Sequence, residues 1–179
     1  MRIIAGKFKG HPIVVPKNFQ GRPTTDFARE GLFNMLASSS NFFGSSVLDL
    51  FSGTGAFLLE CHSRGADRLV GVEQAATHCR FIQENIKHFQ ATNAQIIKAD
   101  VRQFLKTEQA PFDLIFADPP FDLTWLPEIP KLVLASGLLH EKGTFILEHP
   151  KEIKFEEHSH FTKHRQYGHV NFSFFTLQP

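Results

Sequence analysis

The apolar residues change rhythm twice along the chain. Over residues 1–15 they form two short runs, Ile3-Ile4-Ala5 and Ile13-Val14-Val15, broken by Gly6, Gly10 and Pro12. Such runs between glycine and proline read as two short strands. A polar stretch from Lys17 to Thr24 reads as a loop. Then Ala28, Leu32, Met35 and Leu36 recur at helical spacing. With Thr25 or Asp26 as the cap, they predict a helix to about Ala37, ended by Ser38-Ser39-Ser40-Asn41.

From Ser46 the pattern alternates. Val47-Leu48-Asp49-Leu50-Phe51 is nearly continuous in apolar character, as suits a strand covered on both faces. Gly53-Thr54-Gly55 opens a helix that ends at Gly65. Arg68–Val72 is the second strand, and a helix spans about 75–89 with Cys79, Ile82, Ile86 and Phe89 on one face. Strands at 94–97, 112–117 and 144–148 follow, with helices at 101–106 and about 126–136 between them. The segment Phe161–Leu177 reads as a hairpin turning near Tyr167-Gly168. Alternation of this kind predicts an α/β fold, a parallel sheet with right-handed crossovers and helices on both faces. The hairpin adds an antiparallel edge. Ligands of such sheets bind beyond the C-terminal strand ends, and Asp49–Gly55, Glu73 and Asp118–Phe121 all fall there.

Composition narrows the class. The 179 residues, 42% apolar and 21% charged, suit one globular domain that needs no disulfide or metal staple. No run approaches ~20 apolar residues, so no membrane span is expected. Met1-Arg2-Ile3-Ile4-Ala5-Gly6-Lys7 reaches charge and glycine too early for a signal peptide, and Cys61 and Cys79 form no CxxC pair. The expected compartment is the cytoplasm. Net charge is +1, but it is unevenly spread. The first 25 residues hold Arg2, Lys7, Lys9, Lys17 and Arg22 and no acid, leaving fourteen bases against eighteen acids elsewhere. A basic front end on an acidic body fits an arm that binds a polyanion; a solvated tail is the plainer alternative.

The chemistry gathers at two strand ends. Gly53 and Gly55 let backbone approach a ligand closely, and the helix start behind them attracts a carboxylate or phosphate. Glu73 lies twenty residues after Gly53, the offset at which an acid accepts ribose hydroxyls. Together they predict a nucleoside-bearing cofactor. A dinucleotide fingerprint is disfavoured because its third small position falls on Leu58. Asp49 just before the glycines is a poor neighbour for pyrophosphate and a good one for a cation, such as the amino group of S-adenosylmethionine. Asp118-Pro119-Pro120-Phe121 forms a rigid spur with a carboxylate at its base and carbonyls that no proline N–H can engage. A carboxylate and a carbonyl accepting both hydrogens of an exocyclic amine would localise its lone pair for attack, while Phe121 offers a face for a planar base.

Leu48–Gly55, Glu73, Asp100 and Asp118–Phe121 resemble the class I S-adenosylmethionine-dependent methyltransferases, whose amine-modifying members carry [DN]-P-P-[YF]. Arg2-Ile3-Ile4-Ala5-Gly6-Lys7, Gly21-Arg22-Pro23-Thr24-Thr25-Asp26, Arg29-Glu30 and Leu32-Phe33-Asn34 narrow the resemblance to the RsmD-type bacterial 16S ribosomal RNA (guanine-N2)-methyltransferases. It covers nearly the whole chain and is loose beyond about residue 150. Two positions depart from the usual form: Phe121 replaces a tyrosine and Ser52 an alanine. The resemblance implies a Rossmann-like, mostly parallel seven-stranded sheet with a C-terminal antiparallel hairpin. Residues 1–40 would be a basic extension and helix, and 41–179 the methyltransferase domain. It implies that Asp49, Phe51, Ser52, Gly53, Thr54 and Gly55 hold the methionine end of S-adenosylmethionine. Glu73 would hold the ribose, and Asp100 with Val101 the adenine. Asp118 and Pro119 would hold the guanine amine, with Pro120 and Phe121 completing the catalytic motif. Arg22, Pro23 and Thr24 would border the pocket and, with Arg2, Lys7 and Lys9, meet RNA. The expected partner is 16S ribosomal RNA or the small subunit, with no membrane, no metal and a monomeric state.

Other readings stay open: adenine-N6 methylation, glutamine-N5 methylation, an RNA-binding protein without catalysis, and a nicotinamide oxidoreductase. Methylation at pyrimidine carbon needs a cysteine nucleophile, and the catalytic strand end has none. Cys61 and Cys79 read as core. His158, His160, His164 and His169 fit no zinc spacing and read as hairpin surface. Phe42-Phe43 reads as a linker staple onto the core.

Overall fold

A computed structural model of the chain describes residues 1–16, 19, 26–39, 42–107 and 109–178. Seven strands form one sheet in the order β3-β2-β1-β4-β5-β7-β6. They are β1 (Ser46–Asp49), β2 (Arg68–Glu73), β3 (Ala94–Lys98), β4 (Phe112–Ala117), β5 (Leu139–His149), β6 (Phe161–Tyr167) and β7 (Val170–Phe175). β1 to β5 pair in parallel, and β7 pairs antiparallel with both β5 and β6. The helices are α1 (Asp26–Ser39), α2 (Ala56–Ser63), α3 (Ala76–His88), α4 (Val101–Phe104) and α5 (Ile129–Ala135), the last entered through a 3-10 turn at Leu126–Glu128. This is the α/β architecture that the alternating pattern and the resemblance imply.

The period-2 alternation of strand side chains divides the core in two. Val47, Leu69, Leu114, Phe116, Ile146, Phe172 and Phe174 face α1 and α2. Leu48, Val70, Val72, Ile115, Ala117, Phe145, Leu147 and Phe175 face α4 and α5. Phe57 of α2 stacks on Phe116 with centroids 4.0 Å apart. Of the expected Phe42-Phe43 staple only Phe42 is buried, packing on Phe33 in the same layer, while Phe43 is exposed because it lies in the turn that follows; both cysteines are buried and free. α1 reaches the sheet's far end through Gly31, whose carbonyl accepts the Tyr167 hydroxyl at 3.1 Å. A Cβ on Gly31 would lie 2.3 Å from the Tyr167 ring, so only glycine permits that approach.

Several boundaries differ from the pattern's expectation. Residues 1–15 form no strand. They make an irregular hairpin with a single bridge, Arg2 to Pro12, and bonds such as Gly10 N–H to the Ile3 carbonyl and Ile13 N–H to the Met1 carbonyl. Gly6 and Gly10 adopt left-handed φ of 83° and 82°, which breaks the ladder. The arm's N–H groups bond sideways instead: Ile4 and Ala5 to the Glu60 carboxylate, Lys7 to the Ser63 carbonyl, Phe8 to the Ser63 hydroxyl. Ile3 and Ile13 are buried against Ala56, Leu59 and Phe89.

β1 stops two residues earlier than expected, because the chain turns after Asp49, although Leu50 N–H still reaches the Phe116 carbonyl at 2.9 Å. β5 begins five residues earlier, at Leu139, with a register shift opposite Phe112–Leu114. Its exposed His140-Glu141-Lys142 lies in that shift, between the Phe112–Leu139 and Leu114–Thr144 pairs. α1 runs to Ser39, two residues past Ala37. The candidate cap Thr25 lies outside the described residues. The hairpin turns at Gly168-His169, with Gly168 at φ 62°.

Glu60 is fully buried, and it also pairs with Arg64 at 2.8 Å. Glu60→Ala leaves two arm N–H groups and a guanidinium without their acceptor. It is expected to lower unfolding free energy by about 3 kcal/mol. Urea denaturation measures this, and a wild-type midpoint would show that the arm is not anchored there.

Candidate active site

β1 and β4 are neighbours in parallel register, with Asp49 opposite Phe116. Their C-terminal ends therefore open side by side, at one end of a cleft of about 1050 Å³. Asp49, Phe51, Ser52, Gly53, Thr54, Glu73, Asp100, Val101, Asp118, Pro119, Pro120 and Phe121 all line it. The fold thus gathers twelve of the residues singled out in sequence. Gly55 stands just behind, at φ 75° and as the N-cap of α2. A Cβ there would meet Ile82 of α3 at 2.8 Å, so glycine is required both by the turn and by helix packing.

Glu73 ties the glycine loop to β2. Its Oε2 accepts the Gly53 N–H at 2.9 Å, and its Oε1 accepts the Ala75 N–H at 2.7 Å. His78 Nδ1 lies 3.5 Å from the same Oε1. A carboxylate offers about four lone-pair directions, so a pinned Glu73 still has acceptor capacity toward the cleft. Asp100 caps α4 by accepting the Arg102 N–H at 2.8 Å and side-chain bonds from the same residue. Those bonds hold its carboxyl below the usual range. Arg102 lies over the Trp125 ring at 5.0 Å, and Trp125 lies 6.1 Å from Phe51. Phe51, Trp125 and Arg102 thus form an aromatic and cationic part of the cleft's wall.

Asp49 is only 1% exposed, and its Oδ1 meets no hydrogen-bond donor. Burial, with the neighbouring Asp118 charge and then Glu73 adding to it, pushes its carboxyl up to about 8; donors at Phe51 and Ser52 oppose this only in part. A carboxyl so placed is neutral near neutral pH unless a cation sits beside it. The cleft therefore carries a built preference for a positively charged group at the glycine loop.

After β4, Pro119 is buried while Phe121 is 39% exposed. The Leu123 N–H closes a turn onto the Pro120 carbonyl at 3.0 Å, which puts Phe121 and Asp122 at its corners. Arg29 and Leu32 of α1, Glu148 of β5, and His169 and Val170 of the hairpin also line the cleft.

Sequence reasoning missed several of these wall residues. Arg29 carried a signal, since it falls on the buried side of α1 beside Leu32 and Phe33. Trp125, Arg102, His78, Phe19 and Met1 carried none, because chain folding alone brings them to the cleft. The RNA candidates divide. Arg2, Lys7 and Lys9 are exposed on the arm, and Arg2 gives its carbonyl to Arg29 at 2.7 Å. Lys7 and Lys9 sit toward the Ser63 end of α2, about 12 Å along the helix from the glycine loop. Arg22, Pro23 and Thr24 lie outside the described residues. No cluster of three or more His, Cys, Asp or Glu suited to a metal occurs among the described residues. No helix among them is long and apolar enough to cross a membrane.

A family model described as conserved hypothetical protein 95 matches residues 1–176. The chain belongs to this family. Among curated relatives it is similar to the ribosomal RNA small subunit methyltransferase D of Escherichia coli strain K12, at 33% identity over 148 residues, 83% of this chain and 74% of that one. It is also similar to the putative rRNA methyltransferase YlbH of Bacillus subtilis, at 31% over 161 residues, 88% and 86% of the two chains. Among solved structures it superposes on the putative methyltransferase yhhF of Escherichia coli with a TM-score of 0.85, at 29% identity, covering 98% and 96%. The resemblance drawn from the glycine loop, the spaced acids and the Arg2–Asn34 segment is thereby shown.

The Asp49 shift has a pH consequence. Between the ordinary carboxyl value of 3.8 and about 8, the folded chain binds one more proton at Asp49 than the unfolded chain does. Stability attached to this group therefore falls as pH rises through that window. Asp49→Asn is expected to be more stable than wild type above about pH 8, with the difference vanishing near the ordinary carboxyl range. Thermal melts across pH test this; parallel curves for the two proteins would refute it.

Proposed function

We propose that the protein transfers a methyl group from S-adenosylmethionine to the N2 amine of a guanine in 16S ribosomal RNA. The observation that carries this reading is the pair of carboxylates at adjacent strand ends. Asp49 is buried without a donor for Oδ1 at the glycine loop, and Asp118 stands beside it at the root of a proline spur. The names of the relatives, small-subunit ribosomal RNA methyltransferases, support the substrate class.

The residues fit the cofactor. Its amino group is the cation that Asp49 calls for, and that contact returns the carboxyl to its ionised form. The Gly53–Gly55 turn admits the methionine end closely, and Glu73, pinned by the Gly53 and Ala75 N–H groups, accepts from ribose hydroxyls. Asp100 and Val101 border the adenine, against the wall made by Phe51, Trp125 and Arg102. When bound, the cofactor supplies a methyl group on a positively charged sulfur.

The acceptor side is Asp118–Phe121. The Asp118 carboxylate and the Pro119 carbonyl accept the two amine hydrogens and hold the nitrogen lone pair toward the methyl. Phe121, exposed at the turn's corner, stacks on the base; it has no hydroxyl, so packing is its whole contribution. On gaining the methyl the nitrogen sheds one proton, which the Asp118 carboxylate takes. No covalent adduct is needed. Most of the acceleration comes from holding nitrogen, methyl and sulfur in line. Outside the cleft, Arg2, Lys7 and Lys9 present cations to RNA phosphates from the arm.

Two experiments test this. With methyl-labelled S-adenosylmethionine and unmodified 16S ribosomal RNA or small subunits, label is expected in N2-methylguanosine after digestion to nucleosides. Asp118→Ala is expected to lower the rate by about 100-fold or more while still binding cofactor. Label in another nucleoside, or none in RNA, refutes the assigned target. Separately, Lys7→Ala combined with Lys9→Ala is expected to weaken RNA binding and flatten its logarithmic salt slope by about 1–2. An unchanged slope would remove the arm from the RNA interface.

A further inference from the structure

The N-terminal hairpin begins and ends at the glycine loop. Its first residue, Met1, lines the cleft, and its thioether accepts the Thr54 hydroxyl at 3.6 Å. From there the arm descends along α2 to Ser63, turns through Gly6–Gly10, and climbs back beside α3. On the way up Asn85 clips it twice, accepting the Val14 N–H at 3.2 Å and donating to the Val14 carbonyl at 2.8 Å. The return ends at Phe19, which also lines the cleft. Phe19 lies over His78 with centroids 4.7 Å apart and meets Phe81 edge-on at 5.7 Å. His78 in turn reaches Glu73. A Cβ built on Gly53 would be 3.9 Å from the Phe19 ring tip. The aromatic face therefore covers the stretch of cleft between the glycine loop and the Glu73 carboxylate.

We infer that the N-terminal hairpin is a wall of the cofactor pocket and that Phe19 is the residue through which it holds the cofactor. This rests on the reading of the glycine loop and Glu73 as the S-adenosylmethionine site. Phe19 is half-buried, and its ring lines the cleft while resting on His78 and Phe81 of α3. A flat ring over the ribose end excludes water from the Glu73 bonds and adds contact area to the ligand. The same arm carries Lys7 and Lys9. Cofactor binding and the seating of the arm therefore assist each other, and the assistance is reciprocal.

Trp125 is the sole tryptophan and lines the same cleft, so its fluorescence reports ligand entry without a label. S-adenosylmethionine is titrated into wild type, Phe19→Ala, Phe19→Leu and Phe19→Tyr. Phe19→Ala is expected to raise Kd about five- to tenfold, Phe19→Leu by less, and Phe19→Tyr is expected to restore the wild-type value. The rise in melting temperature that cofactor produces should shrink in the same order, while the ligand-free melting temperatures agree. Wild-type affinity in Phe19→Ala overturns the inference and leaves the site reading intact. A ligand-free melting temperature that falls together with affinity, and is not restored by tyrosine, also overturns it in favour of a structural role. A wild-type protein that gives no saturable signal and no thermal shift overturns the site reading itself, and the inference with it.

Discussion

Two central strands that stop at the same level carry the site. β1 and β4 pair in parallel from Val47 opposite Leu114 to Asp49 opposite Phe116, deep in a sheet covered by helices on both faces. Parallel pairing forces both C-terminal ends to the same edge. There each strand delivers a carboxylate, Asp49 and then Asp118, at the point where backbone pairing gives way to turns. Glu73 from β2 and Asp100 after β3 extend the line along the same edge. The order of the strands in the sheet is thus also the order of acids along the cleft.

That line of acids is costly in an apolar surround, and the cost has a direction. Asp49 bears it, with its carboxyl pushed up to about 8 by burial and by Asp118. Glu73 is relieved by two backbone N–H groups and Asp100 by Arg102. A cation arriving at Asp49 relieves a buried acid whose Oδ1 meets no donor. Strain of this kind selects a ligand by charge and place before any shape matching begins. The exterior runs the other way. The arm is basic, and it is fixed to the body by a buried acid, Glu60, that accepts from its backbone. The exposed Lys7 and Lys9 of the arm and the buried Asp49 lie toward opposite ends of α2.

The arm also explains why its own pattern misled. Ile3 and Ile13 open short apolar runs as strands would, and both are buried. Their N–H neighbours found acceptors on α2, in Glu60 and Ser63, and the two left-handed glycines removed any regular ladder. β5 erred in the opposite sense. Leu139 is buried and pairs with Phe112, but the polar, exposed His140-Glu141-Lys142 falls in the register shift before Thr144 pairs with Leu114, and so interrupts the strand's apolar pattern.

The chain's own order of residues determined the alternation of strands and helices, the glycine turn after β1, the twenty-residue spacing of Glu73 and the proline spur after Asp118. Each is local, written within one strand and the loop that follows it, and each was legible because strand periodicity and turn chemistry act over a few residues. Tertiary structure alone decided what those loops face. It brought Trp125 and Arg102 onto Phe51, set Arg29 of α1 in the cleft's lining, and returned Phe19 to the glycine loop after a detour along two helices. It also decided the protonation of Asp49, which depends on how deeply the sheet buries it and how near Asp118 comes. Contacts between residues far apart in the chain, and the electrostatic cost of burial, are set by packing, and no local pattern encodes them.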